Sequence, residues 1–254
     1  MIITISGQYG SGGSEVGIRL AELLKYRILD SQLVIRAREI YTSKSGSGEK
    51  PDWWPSRYNI PFHEADDLPA PGTAYEQAEF TLKTDLIDPD VAYKDLGPEA
   101  AGVRKAMLDA QSAAILECAE HGNCIALGKC SNFVLRGCPD SVHVFSTADW
   151  EKRVKRVTNL FNWLDNPSEG AAWVPPAYML HDAGLYVNMS RGTVEDLIRT
   201  TDRRRASCYE FITGEKWGDL DTYDYHLVGN DIDTEELTQK LLRFITEREA
   251  ALRG

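Results

Sequence analysis

Residues 2–24 read IITISGQYGSGGSEVGIRLAELL, and no other stretch limits the fold as strongly. Ile2–Ser6 is an apolar, β-branched run with the composition of a buried strand. Gly7–Ser14 then places four glycines and two serines in eight residues, too flexible for a regular element. Val16, Leu20, Leu23 and Leu24 follow at i, i+4, i+7 and i+8, one face of a helix. A strand, a glycine-rich turn and a helix in that order is the setting of a phosphate-cradling loop. The glycines let successive main-chain N–H groups point inward, and the helix N-terminus adds the positive end of its dipole. On this reading Gly7, Gly10, Ser11, Gly12, Gly13 and Ser14 form the cradle, with Ser14 where a Mg²⁺-binding hydroxyl stands. The pattern G-x-x-x-x-G-K-S is kept except at Gly13, which replaces the lysine. Two other readings share the layout: a tight turn that needs glycine for steric reasons alone, or a dinucleotide-binding turn. The latter wants G-x-G-x-x-G, and Gly10 and Gly12 supply its first half, but position 15 is Glu.

Further along, short apolar runs alternate with helical stripes. RILD is a second strand and SQLVIRAREIY a second helix, with Asp30 or Ser31 as its N-cap. From Ser43 to about Gly102 the chain turns rich in Gly, Pro, Ser and aromatics without periodicity, the mark of an insertion or lid. Val103, Met107, Ala110, Ala114 and Cys118 restore a helical stripe that stops at HGN. CIALG and VHVFS read as strands buried on both faces, and Trp150, Val154, Val157 and Phe161 as the helix after the second. Residues 164–192 are again irregular, and a helix from about Thr193 carries RTTDRRR. YHLVGN is the last strand, and Leu237, Leu241, Phe244 and Ile245 mark the last helix. Such alternation predicts an α/β fold with a mostly parallel sheet, and both irregular stretches read as excursions from one domain.

A net charge of −11 argues against a nucleic-acid or membrane-surface binder, so any anionic ligand must be held by local basic residues. The five cysteines, at 118, 124, 130, 138 and 208, show no C-x-x-C pair and no metal-ligand spacing. They read as reduced thiols. With no secretory signal and no window apolar enough to span a bilayer, a cytoplasmic location is expected.

LDSQLVIR, Leu29 to Arg36, supplies a second anchor. With the opening loop it resembles bacterial cytidylate kinase, in which a strand-end L-D-S is followed five residues after the serine by an arginine; Ser31 and Arg36 keep that spacing. The whole chain resembles the cytidylate kinase-like family, P-loop proteins whose opening loop reads G-S-G-G without the lysine. CIALGKCSNFVLR, VHVFSTADWEKRVKRV and DRRRASCYEFITGEKWGDLDTYDYHLVGN carry the likeness along the chain. It covers most of 1–42 and 103–250 and leaves 43–102 and 164–192 unmatched.

The resemblance implies a P-loop nucleotide-kinase fold, a parallel β-sheet flanked by helices, as a single domain over 1–254. In it, 43–102 would be an inserted acceptor-binding or lid region and 164–205 a second lid segment. Also implied are ATP and Mg²⁺ as cofactors, nucleotide small molecules as partners, and phosphoryl transfer to a nucleoside monophosphate, CMP or dCMP. Gly7, Gly10, Gly12, Gly13 and Ser14 then hold the donor phosphates, and Asp30, Ser31 and Arg36 the acceptor nucleotide. Lys129 takes the place of the arginine in a G-R-D motif, and Asp202 and Arg205 match a D-x-x-R that grips acceptor ribose and phosphate. These residue types suit the task, since basic side chains bind phosphate oxygens and a carboxylate accepts from ribose or base donors.

Each residue also has an ordinary role open to it. Asp30 and Ser31 can serve as a helix cap, Arg36 as a solvated charge, and DRRR or KRVKR as a solvated helix face. Trp53, Trp54 and Trp217 fit core or lid packing as well as base stacking. Arg199 and Arg203, at i and i+4, repel one another and so favour an anion between them. Where cytidylate kinases have A-D-G-R-D this chain has Ala126-Leu127-Gly128-Lys129-Cys130, which removes both aspartates. Something must replace the lost lysine charge, and Lys129, Arg203 and Arg205 are the expected catalytic cations. Three functions remain open: the monophosphate kinase, a kinase of another small acceptor, or a nucleotide-binding sensor without transfer chemistry.

Overall fold

A computed structural model of the chain describes residues 1–29, 98–165, 193–230 and 233–253, together with Leu33, Arg36, Ala37 and Ile40. Five strands form one sheet: β1 (Ile2–Gly7), β2 (Arg27–Leu29), β3 (Cys124–Leu127), β4 (Ser141–Thr147) and β5 (Tyr225–Val228). Their order is β2-β3-β1-β4-β5 and each neighbouring pair is parallel. Register is set along β1, where Ile5 lies beside Leu127 on one side and Val144 on the other. The expected α/β fold with a parallel sheet is the observed one.

Parallel neighbours require crossovers, and helices supply them. The described helices are α1 (Gly13–Leu24), α2 (Pro98–Glu120), the short α3 (Ser131–Val134), α4 (Trp150–Asp165), α5 (Val194–Thr213) and α6 (Thr234–Arg253). Alternate side chains of each central strand serve opposite layers. Ile3, Ile5, Ile125, Val142 and Val144 pack with Val16 and Leu20 of α1 and Leu237, Leu241 and Ile245 of α6. On the other face Cys124 and Ala126 pack with Ala114, Ile115 and Cys118 of α2 and with Leu29 and Leu33. Burying one large aliphatic side chain in such a core contributes about 2 kcal/mol.

Differences from expectation are local. Leu23, read on the buried stripe of α1, is exposed, because Val16, Leu20 and Ala21 already cover the contact with the sheet. The helix expected from Val103 begins at Pro98, a residue favoured in a first turn because its missing N–H has no intrahelical partner there. Of the expected lid 164–205, residues 164–165 close α4, 194–205 lie in α5, and 166–192 fall outside the described residues, as does most of 43–102. Thr193 caps α5 with a capping box to Asp196.

This layout creates one distinctive edge. From β1 the chain steps across β3 to reach β2, and from β3 it steps back across β1 to reach β4. The C-terminal end of β1 is therefore a point where connections diverge, the place at which open parallel sheets bind ligands. Gly7–Ser14 leaves β1 there.

Candidate active site

The loop from Gly7 to Ser14 folds back onto β4. The Gln8 N–H donates to the Ser146 carbonyl at 2.9 Å, and the Ser11 N–H to the Gln8 carbonyl at 3.1 Å. Gly12 is the N-cap of α1 in a left-handed conformation, φ 92°, and no side chain caps the helix. Gly13 is pressed against Ser146: a Cβ there would lie 2.7 Å from the Ser146 Cβ. The absent lysine thus has a packing cause, since the body of β4 fills the space that the root of any side chain at 13 would need.

The loop sorts its polar groups by direction. Four of its carbonyls are tied to arginines. Arg205 Nη1 donates to the Gly7 oxygen at 2.8 Å, and Arg153 Nε to the Tyr9 oxygen at 2.8 Å. Arg156 Nη1 donates to the Gly10 and Ser11 oxygens at 3.2 and 3.1 Å, while its Nη2 donates to the Gly229 oxygen at 2.6 Å. The N–H groups of Gly10, Gly12, Gly13 and Ser14, by contrast, have no partner among the described residues. Four unspent donors at the positive end of a helix make a receptor for an anion with several oxygens.

Helices α4 and α5 clasp this loop through Tyr9. Its side chain is buried with Val157 of α4 and Leu197 and Ile198 of α5. Its N–H donates to Asp202 Oδ1 at 2.8 Å, and Asp202 Oδ2 accepts from the buried Arg153. The Arg205 guanidinium lies over the Tyr9 ring, 5.5 Å from its centroid. Asp202 and Arg205, assigned by resemblance to the acceptor nucleotide, are therefore spent on the loop itself in this structure. One turn of helix separates them, which puts both on the face of α5 that meets the loop.

Arg203, one residue from Asp202, lies about 100° further round α5. It is exposed and its Nη2 reaches Thr200 Oγ1 of its own helix at 3.5 Å. Arg199 stacks over Trp150, 4.4 Å from the ring centroid, a cation–π contact. Arg36 pairs with Glu117 at 2.8 Å. On the same helix Gln111 Nε2 donates to the Lys129 carbonyl at 3.1 Å, so Arg36 is anchored six residues, about 9 Å, further down α2 than Lys129. Arg36 thus meets a carboxylate of α2, while Arg205 meets the Gly7 carbonyl. Asp30 and Ser31 lie outside the described residues.

Lys129 follows β3, next to β1, in an unusual turn. Gly128, Lys129 and Cys130 all have positive φ, 64°, 56° and 56°, and the Gly128 N–H is fixed to the Ile5 carbonyl at 2.9 Å. Left-handed backbone costs a non-glycine residue roughly 1–2 kcal/mol, and such strain collects at functional sites. Immediately beyond, Ser131 Oγ and Asn132 Oδ1 are buried without a partner, as is Ser146 Oγ behind Gly13. Asn132 Nδ2 donates to the Tyr209 hydroxyl at 3.0 Å, and burial pushes the Tyr209 and Tyr223 phenols up. Trp217 packs edge-on against Phe145, 5.3 Å between centroids.

The residues that sequence reasoning missed are Arg153 and Arg156, taken as part of a solvated KRVKR face. A signal was present. Both are spaced i, i+3 and interleave with Val154 and Val157, so they flank the buried stripe of α4 and do not oppose it.

No curated protein matches the chain by sequence. Among solved structures, an uncharacterized protein from Eubacterium ventriosum ATCC 27560 is 16% identical, with 97% of this chain and 98% of that one covered and a TM-score of 0.53, a likeness of fold. Shikimate kinase from Acinetobacter baumannii in complex with shikimate is 15% identical over 97% of this chain and 93% of that one, TM-score 0.39. Shikimate kinase from Bacteroides thetaiotaomicron is 11% identical over 97% and 98%, TM-score 0.43, and neither kinase is close enough to carry an argument. The decisive match is by family. It runs from residue 2 to residue 172, through the loop, β3 and β4 and past the end of α4, and by it the chain belongs to the cytidylate kinase-like family.

Proposed function

We propose that this protein transfers the terminal phosphoryl group of ATP to a nucleoside monophosphate, with CMP and dCMP the first acceptors to try. The observation that carries the proposal is the set of open N–H groups at Gly10, Gly12, Gly13 and Ser14, held in place by carbonyls tied to arginines. That arrangement is polarised towards phosphate oxygens, and family membership supports a kinase. Phosphoryl transfer asks a protein chiefly for positioning and charge neutralisation.

In the proposed reaction the loop N–H groups hold the donor phosphates. Ser14, in the first turn of α1, would ligate Mg²⁺, which when bound neutralises phosphate charge. Lys129, in the strained turn that follows β3 beside β1, would offer its ammonium to the phosphates. Arg205 braces the start of the loop through Gly7 and lines its side. Water exclusion would fall to the α4–α5 pair, which already buries Tyr9.

The test is purified protein with ATP, Mg²⁺ and a panel of nucleoside monophosphates, following ADP release. Turnover with CMP or dCMP above the other monophosphates supports the proposal. Turnover only with an acceptor of another kind moves the protein to the second reading. ATP binding with no ADP release from any acceptor favours the sensor, a reading that the loss of the lysine and of both G-R-D-region aspartates keeps open.

A further inference from the structure

The missing lysine leaves a question of charge. A phosphate loop usually brings a cation to the front of the phosphates, and here β4 blocks that route at Gly13. We infer that Arg156 of α4 supplies the charge from behind, as a positioning residue acting through the peptide groups of the loop; the inference rests on reading the loop as a phosphate site.

The two ends of a peptide unit are coupled: a cation bonded to the C=O polarises the unit and strengthens its N–H as a donor. Arg156 Nη1 holds the Ser11 carbonyl at 3.1 Å, and the N–H of that same peptide belongs to Gly12, one of the open donors. It also holds the Gly10 carbonyl at 3.2 Å, whose N–H partner, Ser11, is the donor that closes the turn on Gln8. One guanidinium therefore both polarises an open donor and stiffens the turn that aims it.

Its placement is tightly determined. The Arg156 Cζ would lie 3.4 Å from a Cβ on Gly12, directly behind the loop. From the other side Nη2 holds the Gly229 carbonyl at 2.6 Å, and Gly229 packs so closely that a Cβ on it would come 2.2 Å from the Ser11 oxygen. Three carbonyls from two segments fix the fork, a task for which its planar, rigid donors are suited and a lysine ammonium is not.

Charge balance separates Arg156 from its neighbour. Arg153 is compensated by the Asp202 carboxylate. Among the described residues no carboxylate pairs with Arg156, whose bonds all go to neutral carbonyls. A half-buried cation without a counter-charge is expensive unless an anion comes near. The nearest open donors are those of the loop, so the anion that completes this charge is the bound phosphate.

The experiment titrates inorganic tripolyphosphate into the full chain by calorimetry, without acceptor, and records the thermal midpoint of each variant. Arg156→Gln, which removes the charge, should weaken tripolyphosphate binding about tenfold or more. Arg156→Lys keeps the charge but loses the fork, and should bind within about threefold of wild type despite a lower midpoint. Lys155→Gln, an exposed charge removed from the same helix, should bind like wild type. A strut that acts by shape alone would instead make the Lys and Gln variants equally weak, with matching falls in midpoint, and that outcome overturns the inference. So does Arg156→Gln binding as wild type does. Where the Gln variant fails to fold, the Lys variant decides: folded protein that has lost tripolyphosphate binding is equally contrary. Wild type that binds tripolyphosphate but turns over no acceptor would end the kinase reading alone, and wild type that binds none ends both.

Discussion

Two basic runs, KRVKR on α4 and DRRR on α5, look alike in sequence and behave differently in the molecule. On α4 two arginines, Arg153 and Arg156, both turn to the loop and hold three of its carbonyls. On α5 the inward pair is Asp202 and Arg205, while Arg199 covers Trp150 and Arg203 stays exposed. Density of charge does not decide which residue works. What decides is the i, i+3 spacing that carries a side chain to the buried edge of its helix, and an unpaired main-chain oxygen waiting there.

The sharpest way to break this comparison is to remove the joint between the two helices. Arg153 and Asp202 are both largely buried, so Asp202→Ala leaves an uncompensated guanidinium and should cost about 3 kcal/mol of folding free energy. Arg203→Ala, from the exposed face, should stay within about 0.5 kcal/mol. Urea unfolding of the two variants checks both figures, and equal losses would erase the distinction between inward and outward arginines.

Next in size is the return of the missing lysine. Gly13→Lys forces a Cβ to 2.7 Å from the Ser146 Cβ, an overpacking expected to cost roughly 1–3 kcal/mol. ATP affinity, followed by calorimetry, should fall in that variant. A gain would mean that β4 can yield and that Gly13 is not dictated by packing.

Much of this was legible in advance. The strand–glycine–helix opening and the alternation of strands and helices led directly to the parallel sheet, because a period of about 3.6 and short β-branched runs are local signals. The spacing of Arg153 and Arg156 marked them as inward, but the partners of the braces were not legible, because those carbonyls lie more than a hundred residues away in the chain. The loop contacts of Asp202 and Arg205 were equally hidden, since Tyr9 and Gly7 lie almost two hundred residues away. The packing of Gly13 on Ser146 likewise needs the β1–β4 register, which no local pattern encodes.

A smaller effect concerns the β3 turn. Lys129 sits at φ 56°, so Lys129→Gly should stabilise the fold by about 1 kcal/mol while lowering turnover under the proposed function. Loss of stability would show that the lysine side chain supports the fold. Smaller still is a pH effect from His143, buried between Thr4 and Ser141, whose hydroxyls meet its Nδ1 and Nε2 at 2.9 and 3.2 Å. Burial holds its pKa below the ordinary value, and the unfolded chain takes up the proton first. Its contribution is therefore intact above about pH 6.5 and fades as pH falls below that value, by at most about 1.4 kcal/mol per unit. His143→Gln should flatten the slope of stability against pH in that range; an unchanged slope would assign it to other groups.

The central claim, that the loop receives phosphate through donors left open by its own arginine braces, is tested most directly without any mutation. Backbone nitrogen–proton correlation spectra recorded as ATP and Mg²⁺ are added report each amide separately. The expected result is that the signals of Gly10, Gly12, Gly13 and Ser14 move downfield together, while those of Gln8, Ser11 and Val16, already bonded within the protein, move far less. Large shifts elsewhere with those four amides unmoved would contradict it.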